Sequence, residues 1–227
     1  MDLLLASGNQ KKLAELTRIV AGLGVRVLSP ADVDALPEID EDGATFEANA
    51  LKKARGWAAA SGLVCIADDS GLEVDALDGA PGVRSARYAG VHGDDHANNQ
   101  KLLAALDGTP DSARGARFVC AIAVVDPSGA TRCAARGTVE GRIVRAPRGA
   151  DGFGYDPLFE CHDEGLPAAL RGRTFGELTH AEKALVSHRA RALAQLRGDL
   201  AALAGERAQA QPGRERTTDG PTGRIGH

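Results

Sequence analysis

Apolar residues along the chain fall alternately into short runs and helical stripes. Residues 2–6, DLLLA, form a compact run; Ser7, Gly8 and Asn9 follow, and Leu13, Leu16, Val20 and Leu23 then recur at helical spacing up to Gly24. This pattern predicts a strand, a tight turn and a helix. VRVLS predicts a second strand, and residues 30–43 form a loop rich in acids: Asp32, Asp34, Glu38, Asp40, Glu41 and Asp42. Thr45 stands where it can cap a helix whose Phe46, Ala50, Ala54 and Trp57 share one face, ending near Gly62.

LVCIADD and LEVDAL predict strands interrupted at Ser70 and Gly71, and the Gly- and Pro-containing DGAPGVRSARYAGVHG demands a shaped loop. A helix over 94–106 precedes ARFVCAIAVVD and ATRCAARGTVEGRIV, joined by PSG as a hairpin. Past RGADGFGYDPLF an irregular loop leads to a helix from Thr179, where Thr179 and Glu182 match a capping box and Leu185, Ala192, Leu196, Leu200 and Leu203 give the inner face. From Gly205 onward periodicity and apolar content are lost, which predicts one domain over 1–204 and a disordered tail over 205–227. Early alternation of strands and helices with a long hairpin in the middle predicts an α/β fold with a mixed, twisted sheet.

Composition narrows the chemistry. The 227 residues are 43% hydrophobic and 26% charged, ordinary for a soluble globular chain, and the net charge of −4 offers no field for a nucleic-acid backbone. Phosphate handling must therefore be local. Cys65, Cys120, Cys133 and Cys161 are widely separated, with no zinc spacing, and read as reduced and mostly buried thiols. No leader-like start and no stretch near ~18 apolar residues is present, which predicts a cytoplasmic protein without a membrane partner. Six lysines stand against 21 arginines, yet four of the six come as the pairs Lys11/Lys12 and Lys52/Lys53.

Those pairs lie in segments that can carry chemistry. SGNQKK, at a strand end and a helix start, presents backbone amides and the positive end of a helix dipole to a phosphate; the same pattern also describes a capped helix with solvated lysines. Asn49 and Lys53, spaced i and i+4, border the apolar stripe of their helix, facing a cleft, although Lys53 could equally snorkel over its own stem. Successive strand residues face opposite sides, so Asp68 and Asp69 need not share a task. Asp69 with Glu38 or Glu41 suits a hard divalent cation such as Mg²⁺; turn formation by Asp68, Asp69 and Ser70 is the competing reading. On the last helix Arg189 projects near the inner face and His188 on its flank, so that Arg189 needs either an internal carboxylate or an anionic ligand. No nucleophile elbow and no G-x-G-x-x-G motif occurs, which leaves metal-assisted phosphate chemistry.

SGNQKKLAEL, TFEANALKKA, IADDSGLEVDALDGAPGVRSARYAG, GADGFGYDPLF and LTHAEKALVSHR, in that order, closely resemble the non-canonical purine nucleoside triphosphate pyrophosphatases, the inosine/xanthosine triphosphatase or Ham1-like family, over about residues 1–200. The resemblance implies an ITPase-like (Maf/Ham1) fold with two lobes around a substrate cleft, and a Mg²⁺-dependent homodimer. It implies hydrolysis of ITP, dITP and XTP to the monophosphate and pyrophosphate. A non-catalytic nucleotide-binding module and a Maf-like pyrophosphatase for modified pyrimidine nucleotides are the rival readings.

Carried onto matching positions, Ser7, Gly8, Asn9, Gln10, Lys11 and Lys12 would hold the triphosphate with Lys53. Asp69 would activate water and join the metal with Glu41, favoured over Glu38, and Ser70 would contact substrate. Phe153, Gly154, Tyr155 and Asp156 would frame the nucleotide, Phe153 or Tyr155 by stacking. Lys183, His188 and Arg189 would address the base and nearby phosphate, as donors that suit a 6-oxo group. Two departures stand out: Ser7 replaces the family's common Thr, and the stretch between FGYDPLF and LTHAEK is long, which puts the loop over the base pocket in question.

Overall fold

The computed structural model describes residues 1–209, without the side chains of His180, Ala184 and Leu185. Six strands form one sheet: β1 Asp2–Leu5, β2 Arg26–Leu28, β3 Val64–Val74, β4 Gly115–Val125, β5 Thr131–Ile143 and β6 Phe159–Cys161. Their order is β2-β1-β3-β4-β5-β6. β1 runs parallel to both β2 and β3, and every later pairing is antiparallel, so the sheet is mixed as expected. The parallel part needs crossovers, supplied by α1 Gln10–Ile19 and α2 Phe46–Ser61; α3 Asp95–Ala105, α4 His180–Val186 and α5 His188–Gln209 complete the set.

The strand alternation sorts the core into layers. Leu3, Leu5, Ile66, Ile122 and Val124 face α1 and α5, whereas Leu4, Ala6, Cys65, Ala67, Ala123 and Val125 face α2. On α2 the buried stripe is Ala50, Ala54 and Ala58, small enough to bring that helix close onto the sheet. The far ends of β3 to β5 enter a second lobe packed around Leu72, Phe118, Val139, Ile143, Tyr155, Phe159 and Phe175. Between the lobes β1 stops: its last register partner on β3 is Ile66, so the β3 edge beyond that point has no β1 neighbour.

Four expectations need correction. β3 is one continuous strand and is not interrupted at Ser70 and Gly71, which pair with Cys120 and Val119. Gly71 is required there for another reason: a Cβ would stand 2.4 Å from Ser85 Oγ and 2.7 Å from the Gly82 carbonyl. The helix predicted from Thr179 is two helices, because Ser187 adopts ψ 152° between them and its hydroxyl accepts from the Ala190 amide, starting α5 afresh. α1 ends at Ile19, short of the expected Gly24, with the chain turning over 20–24; the long stretch after β6 is held to it, since Cys161 exchanges backbone hydrogen bonds with Gly172 and Arg173, and Leu166 and Leu170 are buried in the second lobe. Finally, α5 runs through Gly205 to Gln209, past the expected 204/205 boundary; the rest of the predicted tail lies outside the described residues. No helix among the described residues is long and apolar enough to cross a membrane.

Candidate active site

The turn from β1 into α1 is self-fastened. Asn9 Oδ1 accepts the Lys11 and Lys12 amides at 2.9 and 3.3 Å, and Ser7 Oγ accepts the Asn9 amide at 3.2 Å. The expectation of free amides fails for these three, because a helix start with an Asn cap satisfies its own donors first. Gly8, Gln10 and Lys11 remain exposed. Lys12 turns inward and donates to Asp68 Oδ1 at 2.9 Å.

Asp68 and Asp69 part as strand geometry requires. Asp68, 5% exposed, points to the α1/α5 side, where Lys12 reaches it from α1 and Arg189 Nε donates to Oδ2 at 3.0 Å from α5. Burial alone would raise this carboxyl; Lys12 and Arg189 outweigh burial and hold it well below the usual range. Arg189 also donates to Ser70 Oγ at 3.3 Å. The internal carboxylate is therefore the partner that Arg189 finds. Gly137 allows α5 to come this close, since a Cβ there would lie 2.1 Å from the His188 carbonyl.

Asp69 points toward α2. Its Oδ2 accepts from Asn49 Nδ2 at 2.9 Å and its Oδ1 from the Ser70 amide at 2.8 Å. Burial, despite the Asn49 bond and helped by the charge of Glu41, pushes the Asp69 carboxyl above its ordinary value. Asn49, fully buried, also accepts the Gly43 amide at 2.7 Å and thereby ties the end of the acidic loop to α2. Lys53 donates to Glu41, and Arg87 Nη2 donates to the Glu41 carbonyl at 2.9 Å. The acidic loop thus brings Glu41, not the exposed Glu38, to the neighbourhood of Asp69.

These donors suit a hard divalent cation. Asp69 is crowded by a second carboxylate and by burial, a field that added positive charge relieves. Among the described residues no cluster of three His, Cys, Asp or Glu side chains occurs, so a cation here would take further oxygens from substrate and water.

Two hollows, of about 450 and 250 Å³, lie beyond, and Phe153, Lys183, His188 and Arg189 line both. Phe153 is 58% exposed, with Lys183 Nζ 4.7 Å from its ring centroid. Tyr155 differs: only 4% exposed, it packs in the second lobe and its hydroxyl donates to the Ser85 carbonyl at 2.9 Å. Of the two aromatic rings considered for stacking, Tyr155 is therefore packed in the core at the wall of the smaller hollow, and Phe153 is the open one. Buried Asp156 accepts the Phe153 amide at 2.9 Å and the Lys183 ammonium. Burial lowers the Lys183 ammonium despite Asp156. His188 stacks on Phe118 at 5.1 Å, and burial pushes its imidazole well below its ordinary value; its Nδ1 has no partner among the described residues. The 162–173 loop lines neither hollow.

Three participants escaped the sequence reading. Glu15 lines the larger hollow and is raised by burial; its place two helical positions beyond Leu13 marks it as part of the cleft side only once α5 is seen. Arg87 and the paired role of Asp68 depend on contacts across 46 and 121 residues, which no local pattern shows.

The Ham1 family model matches residues 3–199. A dITP/XTP pyrophosphatase of Nocardia farcinica is 55% identical over 204 residues, covering 88% of this chain and 95% of that protein. One from Mycobacterium tuberculosis strain H37Rv is 52% identical, covering 89% and 96%. The solved Ham1 protein of Coxiella burnetii superposes with a TM-score of 0.80 at 42% identity, covering 89% of this chain and 99% of that one.

Proposed function

The chain belongs to the Ham1 family, and from that premise we propose that it hydrolyses dITP, XTP and ITP to the nucleoside monophosphate and pyrophosphate. What carries the reading is the convergence on three consecutive β3 residues: Asp68 binds the cations of α1 and α5, Asp69 meets Asn49 and the acidic loop, and Ser70 meets Arg189 beside the hollows. The base would lie against Phe153, with Lys183, His188 and Arg189 near its 6-oxo group. The triphosphate would run past Ser7 to Lys12 toward Lys53, with Gly154 and Asp156 holding the turn that carries Phe153.

In the reaction, Asp69 takes a proton from water as the water oxygen bonds to the α-phosphorus; the bond from that phosphorus to the α-β bridging oxygen breaks and pyrophosphate leaves. Mg²⁺ held by Asp69 and Glu41 would supply charge neutralisation along the polyphosphate. Lys12 and Lys53 add fixed positive charge on either side of β3, and Asn49 orients Asp69. Attack at the α-phosphorus follows the activity named for the relatives. We read the working form as a cytoplasmic homodimer on the strength of the family resemblance, which size-exclusion chromatography with light scattering tests.

A panel of ITP, XTP, ATP, dUTP and methylated pyrimidine nucleotides, with pyrophosphate and orthophosphate measured separately, decides the function. Pyrophosphate from ITP and XTP is expected. Orthophosphate as the sole inorganic product, or turnover confined to pyrimidines, would overturn the reading. In the same assay Glu41→Gln should raise the Mg²⁺ needed for half-maximal rate by roughly tenfold or more, as loss of a metal-side carboxylate does, whereas Glu38→Gln should leave it unchanged.

A further inference from the structure

The turn carrying Phe153 is gripped from α3. Gly154 lies at φ +62°, and α3 takes both polar groups of its backbone: its N–H donates to Asp95 Oδ2 at 2.6 Å, and its carbonyl accepts from Asn99 Nδ2 at 2.9 Å. Asp95 and Asn99 are four apart on one helix, so their side chains stand about 6 Å apart along it, matched to the two ends of one residue. α3 is itself anchored, because Asn98 accepts the Ala89 amide at 2.7 Å and donates to the Ala86 carbonyl at 3.3 Å. On the inner side Asp156 accepts the Phe153 amide at 2.9 Å.

Phe153 thus has a backbone bracketed on both sides and a ring that is 58% exposed, forming a wall common to both hollows. A ring with so little packing of its own takes its place from the peptide that bears it. We propose that Asp95 and Asn99 are positioning residues for the nucleobase: by fixing the Gly154 peptide they set where the Phe153 ring stands, and so the affinity for the base. Asn99 carries the cleaner test, since it lines neither hollow, whereas Asp95 borders the smaller one.

The inference rests on the proposed reading of the site. Steady-state kinetics with ITP, alongside inhibition by pyrophosphate, is the test. Asn99→Leu, which keeps the size and removes the donor, should raise KM for ITP about tenfold, equivalent to ~1.4 kcal/mol, with kcat changed less than about twofold and pyrophosphate inhibition unaltered. Asp95→Asn, which keeps an acceptor for the Gly154 amide, should behave as wild type, and Asp95→Ala should match Asn99→Leu. A general loosening of the fold would instead weaken pyrophosphate inhibition in parallel. That parallel loss, an unchanged KM, or a fall confined to kcat would overturn the proposal. Should Asn99→Leu not fold, as judged by circular dichroism, Asn99→Ala replaces it. If the wild type releases no pyrophosphate from ITP, the functional reading fails by itself, and calorimetric binding of ITP to the same variants decides the role of the α3 grip.

Discussion

Replacing Asp69 with asparagine is expected to lower kcat for ITP hydrolysis by about 10²–10⁴-fold while leaving the folded protein more heat-stable than wild type. Both effects come from one observation: the Asp69 carboxyl is buried and stands near Glu41, so its charged form is disfavoured in the folded chain. An asparagine carries no such charge and its one oxygen can still accept the Asn49 bond, at the cost of the Ser70 amide bond, which is smaller than the relief of a buried charge; it cannot take a proton from water. A carboxyl whose folded pKa lies above its unfolded value destabilises the fold at pH above that folded pKa, and the penalty is relieved as pH falls through it. The melting temperature of metal-free Asp69→Asn should therefore exceed that of wild type at pH 7, with the gap closing in the acid range above the ordinary aspartate value of 3.8. Wild-type turnover by this variant would end the assignment of Asp69 as base; a lower melting temperature at pH 7 would show that its charge is not the strained one.

The neighbouring carboxylate should respond in the opposite sense. Asp68→Ala is expected to destabilise the protein by about 2–3 kcal/mol, since removing one partner leaves other charges in the interior unpaired. The two cations concerned, Lys12 and Arg189, keep some access to water, with 21% and 15% of their side chains exposed, which places the cost below that of a fully buried pair. Asp68→Asn isolates the charge from the volume. Because the folded carboxyl lies below its unfolded value, its contribution is complete above the ordinary value of 3.8 and is lost as pH falls below it. Urea unfolding of wild type and Asp68→Asn should consequently differ most near neutrality and converge in strong acid. An alanine variant as stable as wild type at pH 7 would mean that the carboxylate does not hold α1 and α5 to β3.

These opposed behaviours in adjacent residues show what the sequence could and could not disclose. Alternation along a strand already separates Asp68 from Asp69, and the apolar periods place β1, α2, α3 and the β4–β5 hairpin within a residue or two, whereas α1 stops at Ile19, well before the expected Gly24. Thr45 and Asn49 were legible because a cap and an i, i+4 spacing are local. Partner choice was not. Arg189 meets Asp68 across 121 residues, and it is the close approach at Gly137 that brings α5 there. Tyr155 and Phe153 look alike as aromatic residues of one motif; only the turn at Gly154 sends one into the core and leaves the other open. The strand through Ser70 and Gly71 was misread because glycine suggests a break, whereas here it makes room for Ser85 and Phe46. The helix divided at Ser187 was misread because apolar spacing continues across a single extended residue.

The unbroken β3 has a mechanical result. Its pairing with β4 runs from Cys65 opposite Val125 to Val74 opposite Ala116, spanning both lobes as one spine. A sharp hinge there would break ladder hydrogen bonds, so relative motion of the two halves is confined to bending and twisting of the sheet. Any opening of the cleft should then come from shallow flexing of the whole sheet, with the Phe153 turn, held by Asp95, Asn99 and Asp156, moving with its lobe.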